Sequence, residues 1–277
     1  HDMGRQMLMA EQHGKPLKVS VMLGNHPAMP MFAATPVGYD ESEFAYASQM
    51  MGAPLRLTTA VNGTDILADS EMVIEGELLL NQREVEGPFG VTGVSHRHNP
   101  IFENIYIGKG WTEHDTLIGL NTSAPIYAQL KKDFPEVAAV NALYQHGLTG
   151  IIAVRNRFSG FAKSVAMRAL GTPHGTMYLK NLIMVDDNVD PFDLNQVMWA
   201  LSTRTRASDI IVIPNMPMVP IDPAAEVPGK GHRLIIDATS FMLPDNLGAD
   251  PHLVDRPMGP EIDALMQRLR ELQGGAK

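Results

Sequence analysis

Apolar positions recur at helical spacing from the start of the chain. Met3, Met7 and Ala10 share one face of a predicted helix over 1–13, and Gly14 supplies its stop. Residues 17–23 read as a strand and Asn25-His26-Pro27 as a turn. Asp40 followed by Glu43 has the form of a capping box opening a helix over 41–51, with Phe44, Ala47, Met50 and Met51 as its apolar stripe. Strands over 55–60 and 71–80, separated by Asn62-Gly63, give an antiparallel, barrel-like pattern.

From Asn121 helices alternate with apolar strands. The pattern predicts a helix over 124–132, strands over 137–144 and 150–154, a helix over 160–170 and a buried strand over 182–185, which together make an α/β unit. Asp193 with Gln196 caps a helix over 194–203, and Ile210-Ile211-Val212-Ile213 is a strand ended by Pro214. The Pro-rich stretch 214–228 reads as a wrapping loop and 233–239 as a strand. A last helix opens at Pro260, carries Ile262, Leu265, Met266, Leu269 and Leu272 on one face and stops at Gly274-Gly275. That stripe needs a partner surface, so the helix reads as a dimerisation or docking arm.

Composition narrows the class. At 277 residues the chain has room for two domains. Hydrophobic residues are 44% and charged residues 19%, and no apolar run approaches the ~18–20 residues of a membrane helix. The 22 basic against 31 acidic residues give a net charge of −9, which argues against a nucleic-acid partner. With no cysteine there is no disulfide, thiolate metal site or cysteine nucleophile, and a cytoplasmic enzyme is the default. The chain starts at His1 in mid-helix, which reads as a fragment.

The candidate chemistry centres on Glu86-Gly87-Pro88-Phe89-Gly90, where two glycines and a proline force a turn beside a carboxylate. A fixed catalytic acid and a solvated surface glutamate both fit that turn. His114 lies between Glu113 and Asp115, where it reads either as a surface residue or as a group that exchanges protons.

Several collinear segments resemble the UbiD family of reversible decarboxylases that use prenylated FMN. They are Glu86 to Gly90, Ser95-His96-Arg97 with Asn99-Pro100-Ile101-Phe102, and Leu182 to Asp187 with Asp190 and 196–204. Within the family, three further segments are similar to the hydroxyarylic acid decarboxylases: 108–115, Phe134-Pro135-Glu136-Val137 with Asn141-Ala142-Leu143-Tyr144, and Pro173-His174-Gly175.

The resemblance implies an α/β (α+β) fold. Residues 1–120 would be part of a split β-barrel domain that binds prenylated FMN, 121–230 a C-terminal α/β domain, 231–258 a return strand and loop, and 259–277 an oligomerisation or docking helix. It implies Glu86 as a catalytic carboxylate and His1 and Glu43 as ligands of a divalent metal, Mn2+ or Mg2+, on the cofactor phosphate, with K+ as an additional ion. Thr35 and Arg233 would bind the cofactor, Arg233 standing where many relatives have a lysine. His114, Leu117 and Ile118 would line the substrate pocket.

A catalytic arginine and an asparagine metal ligand of the family fall before His1. A second acidic residue is expected directly after Gly90, where this chain has Val91, and the match implies a stretch missing between Gly90 and Val91. The implied activity is non-oxidative decarboxylation of a hydroxybenzoic acid, of the protocatechuate or 4-hydroxybenzoate class, giving a phenol or catechol and CO2. No natural side chain can take up the electrons of the breaking C–C bond, so a cofactor must. The implied partners are the aromatic acid, further copies of the chain in a dimer or hexamer, and a flavin prenyltransferase that supplies the cofactor. A polyprenyl-4-hydroxybenzoate decarboxylase and a non-catalytic flavin-binding or assembly subunit are the rival readings.

Overall fold

The structure is a computed structural model. It describes residues 2–35, 37–38, 41–82, 89–103, 105–106, 108–109, 111–144, 147–220, 222–242 and 259–274.

The N-terminal half opens with α1 (Asp2–His13) and β1 (Leu17–Leu23), as the periodicity predicts. The helices α2 (Met29–Ala33) and α3 (Glu43–Met51) pack on each other, and Phe32 meets Tyr46 edge to face at 6.0 Å. Helix α3 begins at Glu43 with Ser42 in the N-cap position. Glu43 is therefore the first helical residue, not the third residue of a capping box, and its charge sits favourably at the positive end of the helix. Asp40 lies outside the described residues.

A two-stranded hairpin, β2 (Leu57–Thr59) with β3 (Asp65–Leu67), precedes β4 (Met72–Leu78) and β5 (Phe89–His96). Strands β1, β4 and β5 form an antiparallel sheet in that order, with Val21 opposite Ile74 and Ile74 opposite Val94. Among the described residues these strands form two open sheets and no closed barrel. Asn62 joins hairpin to sheet: its side chain donates to Val19 O, and its N–H donates to buried Glu75 at 2.6 Å.

Strand β5 opens with Phe89 and Gly90. A Cβ on Gly76 would strike both Gly90 O and the Phe89 ring, so only glycine lets β5 approach β4 this closely. The strand runs through Gly90 and Val91 as neighbouring residues opposite Glu77 and Gly76, with Thr92 the extra residue of a bulge.

The C-terminal half is a five-stranded sheet with helices on both faces. Its strands are β6 (Val137–Tyr144), β7 (Thr149–Val154), β8 (Asn181–Asp186), β9 (Ile210–Pro217) and β10 (Lys230–Ala238), in the order β6-β7-β8-β10-β9. The middle strands β7, β8 and β10 are parallel, and both edge strands are antiparallel to their neighbours. Alternating side chains divide the core. Ile152, Val154, Leu182 and Met184 pack with Ile126 and Leu130 of α4 (Glu113–Asp133) and with α5 (Phe161–Leu170). Ile151, Ala153 and Val185 face Val197 and Ala200 of α7 (Leu194–Arg204) on the other side.

Three predicted boundaries move. Helix α4 starts at Glu113 rather than at 124, because Thr112 and Asp115 form a reciprocal capping box. Pro214 lies inside β9 instead of ending it. An edge strand can spare the missing N–H, and the register shifts there, with Asn215 at φ 60°. A short helix, α6 (Pro173–Met177), appears where no periodicity marked one, capped by the Thr172 side chain. The last helix, α8 (Pro260–Gly274), exposes Leu265, Met266, Leu269 and Leu272.

Candidate functional site

Helix α4 carries the expected substrate residues on one face. His114, Leu117, Ile118 and Asn121 stand at i, i+3, i+4 and i+7, so they stack along about 10 Å of helix. Ile118 is buried, while His114 and Leu117 are half-buried. Below His114, Glu113 accepts a 2.7 Å hydrogen bond from the Tyr106 N–H, which holds its carboxyl below the usual range. Helix α4 reaches the sheet closely because position 119 is glycine: a Cβ there would lie 2.5 Å from Leu143 Cα. Ser123 joins the two elements by donating to Gly119 O at 2.6 Å and accepting from the Ala142 N–H at 2.8 Å.

Thr35, expected at the cofactor, is joined to this face. Its hydroxyl donates to Asn121 Oδ1 at 2.9 Å, and Asn121 Nδ2 donates to Met31 O at 3.2 Å. One residue back, Ala34 O accepts from the Tyr178 hydroxyl at 3.0 Å. Tyr178 caps α6, and α6 leads to Arg233: Arg233 Nη2 donates to Thr176 O and also to Pro217 O. Arg233 is thus bonded to α6 at Thr176 O, Tyr178 after α6 bonds Ala34 O, and the neighbouring Thr35 bonds Asn121 on the His114–Ile118 face of α4.

Arg233 is 1% exposed, and its Nε and Nη1 have no partner among the described residues. Burial lowers its pKa to about 10, and the nearby charge of Asp222 works the other way, so it is a cation at neutral pH. Asp222 is itself paired with Lys180 at 2.9 Å. A buried guanidinium with two free donor nitrogens fits an anion, and a flavin phosphate is one. His174, in α6, is 5% exposed with both ring nitrogens unpartnered, and burial lowers its pKa to about 4.

Glu43, the first residue of α3, lies beside α2. It borders a largely apolar cavity of about 220 Å³ with Asn25, Met29, Phe32, Ala33 and Phe44. Glu86 and His1 lie outside the described residues, so Glu43 is the one expected metal ligand that the structure places. Among the described residues no group of three or more histidine or acidic side chains converges on a metal position. No described helix is long and apolar enough to cross a membrane. A polar recess of about 70 Å³ lies at the carboxyl ends of β7 and β10, lined by Lys163, Arg206 and Asp237 among others.

Sequence reasoning missed Asn121, Tyr178 and His174. Asn121 had a readable signal, since it lies seven residues after His114, but only once α4 is known to start at Glu113. For His174 and Tyr178 the signal was weak: Thr172 before Pro173 marks a helix start, but α6 is too short to show a period.

Residues 1–103 match the 3-octaprenyl-4-hydroxybenzoate carboxy-lyase Rift-related domain, and residues 115–238 match the C-terminal domain of the same carboxy-lyase. The chain belongs to the UbiD family. It is 43% identical to a phenolic acid decarboxylase of Streptomyces sp. (strain D7) over 288 residues, covering 97% of this chain and 61% of that one. Among solved structures it resembles the vanillic acid decarboxylase of Sedimentibacter hydroxybenzoicus at 42% identity. The closed form matches with a TM-score of 0.81, over 99% of this chain and 61% of that one. The open form matches with 0.74, over 99% and 62%. A UbiD-class enzyme of Pelotomaculum thermopropionicum in complex with FMN matches with a TM-score of 0.75 at 25% identity, over 95% and 61%. The chain therefore spans about three fifths of the length of these relatives.

Proposed function

We propose that this protein decarboxylates hydroxybenzoic acids reversibly and without oxidation, with prenylated FMN as its cofactor. The observation that carries the reading is the run of groups from Arg233 through α6 to Thr35 and on along α4 to His114. It offers an anion holder at one end and a half-buried imidazole at the other. The names of the relatives and the FMN-bound neighbour support the same class of chemistry.

When bound, the prenylated flavin supplies the electron sink for the breaking C–C bond. The side chains of this protein do the rest. Arg233 holds the phosphate with Nε and Nη1, and Thr35 contacts the flavin from the end of α2. Glu43 and His1 hold a divalent cation, Mn2+ or Mg2+, against that phosphate, with K+ as an additional ion. Ile118 and Leu117 form the apolar wall that orients the ring, and the His114 imidazole hydrogen-bonds a ring hydroxyl. Glu86 is the carboxylate of the proton network that delivers a proton to the ring carbon losing CO2.

Val91 cannot carry a proton, and the family's second acidic residue falls in a stretch that this chain lacks between Gly90 and Val91. The exposed stripe of α8 serves a homo-oligomer, and a flavin prenyltransferase supplies the cofactor.

Substrate competition tests the class. With cofactor loaded, protocatechuate, 4-hydroxybenzoate or vanillate should release CO2 while a polyprenyl-4-hydroxybenzoate does not. The reverse preference would assign the protein to quinone biosynthesis.

A further inference from the structure

We propose that Asn121 and Tyr178 are positioning residues: together they latch the C-terminal α/β unit onto residues 31–35 and so fix the segment that contacts the flavin. The flavin part of this inference rests on the function proposed above.

The segment cannot hold its own shape. Helix α2 has five residues, far below the length at which a helix is stable alone, and locally it is closed by Ala34 N–H on Pro30 O, Thr35 N–H on Phe32 O and the Thr35 hydroxyl on Met31 O. Two carbonyls of this segment also bond the other unit. Met31 O accepts from Asn121 Nδ2 and Ala34 O from the Tyr178 hydroxyl, while the Thr35 hydroxyl donates to Asn121 Oδ1. The three side chains are 6 to 8% exposed, so water does not compete for them in this arrangement.

Asn121 belongs to α4 and Tyr178 to the end of α6, two elements 57 residues apart in the chain that meet on one five-residue target. Both ends of the Asn121 amide are engaged in one orientation, Oδ1 accepting from Thr35 and Nδ2 donating to Met31 O. A slip of α4 by one residue would break both bonds together. These groups are ones that water can solvate when the units part, so the latch can open and close. The chain superposes better on the closed form of the Sedimentibacter enzyme than on its open form, with TM-scores of 0.81 and 0.74.

Hydrogen–deuterium exchange and FMN titration of the whole protein test the proposal, using Tyr178→Phe, which removes only the hydroxyl, and Asn121→Ala. In the flavin-free protein, the amides of Phe32, Ala34 and Thr35 should exchange about ten-fold faster in either variant. The amides of Ile151 to Val154 in the sheet should keep their wild-type rates. FMN should bind about five- to ten-fold more weakly to Tyr178→Phe, as expected for one lost hydrogen bond, and at least as much more weakly to Asn121→Ala, which loses two. The double variant should lose less than the product of the two, because both bonds hold one segment. Unchanged exchange at 32–35 would overturn the latch, and so would a uniform rise that includes the sheet. Wild-type protein that binds no FMN would reject the flavin reading and leave the exchange result to decide the latch alone.

Discussion

Replacing Arg233 by methionine separates cofactor binding from folding. The side chain is buried, keeps its charge, and has two nitrogens free of partners. A hydrogen bond to a charged group contributes about 1.5–3 kcal/mol, so two bonds to a phosphate at the low end give about 3 kcal/mol. That corresponds to a ~100-fold weaker Kd for FMN in Arg233→Met.

The effect on the empty protein should be smaller. Methionine fills similar space and removes the cost of a buried charge, but it leaves Thr176 O and Pro217 O without this donor, and the two effects oppose each other. The assay titrates FMN and riboflavin by flavin fluorescence and follows melting with and without FMN. Wild-type protein should prefer FMN over riboflavin, which lacks the phosphate, and its melting temperature should rise as FMN saturates it. The variant should bind both flavins equally weakly and gain little from FMN. Equal FMN affinity in variant and wild type, or equal losses for FMN and riboflavin, would refute the assignment of Arg233 to the phosphate.

His174 titrates near pH 4 in the folded protein against an ordinary 6.5, so the unfolded chain binds more protons between those values. Stability from this group is fully present above pH 6.5 and declines toward pH 4, by about 2 kcal/mol once solvent screening is allowed for. Urea unfolding of His174→Phe should show a flatter pH dependence across that window, and a slope equal to wild type would count against it. Gly119→Ala should push α4 off Leu143, cost about 1–3 kcal/mol and raise the substrate KM, since His114 and Ile118 ride on the same helix. Wild-type stability and KM would show that the approach is not as close as described. Glu86→Gln should lower turnover by at least ~100-fold while FMN affinity stays the same, and wild-type rates would reject its role.

The C-terminal sheet was largely legible in the sequence because its strands are buried on both faces and read as unbroken apolar runs, as in 150–154 and 182–185. Helix α4 was only half legible. Gly119, Asn121, Thr122 and Ser123 look like breakers in a linear reading, yet Thr122 and Ser123 bond carbonyls one turn back and Gly119 admits the sheet. Pro214 misled for the opposite reason: a proline ends a central strand, but whether a strand is central is a property of the sheet. At the site, Arg233 bonds Thr176 O of α6, while Thr35 bonds Asn121 of α4. Helix α6 carries only a local start signal, Thr172 before Pro173, and is too short to show a period. The capping role expected for Glu43 failed locally, since Ser42 precedes the first turn and leaves the glutamate facing a cavity.

The central claim is that hydroxybenzoic acids lose CO2 at this site. The direct measurement is CO2 released from protocatechuate, 4-hydroxybenzoate and vanillate by the whole protein loaded with prenylated FMN, beside the same protein loaded with FMN. One CO2 and one phenol or catechol should form per acid consumed with prenylated FMN, and none with FMN. Absence of CO2 from all three acids, with the prenylated cofactor confirmed in the protein by its absorption spectrum, would contradict it.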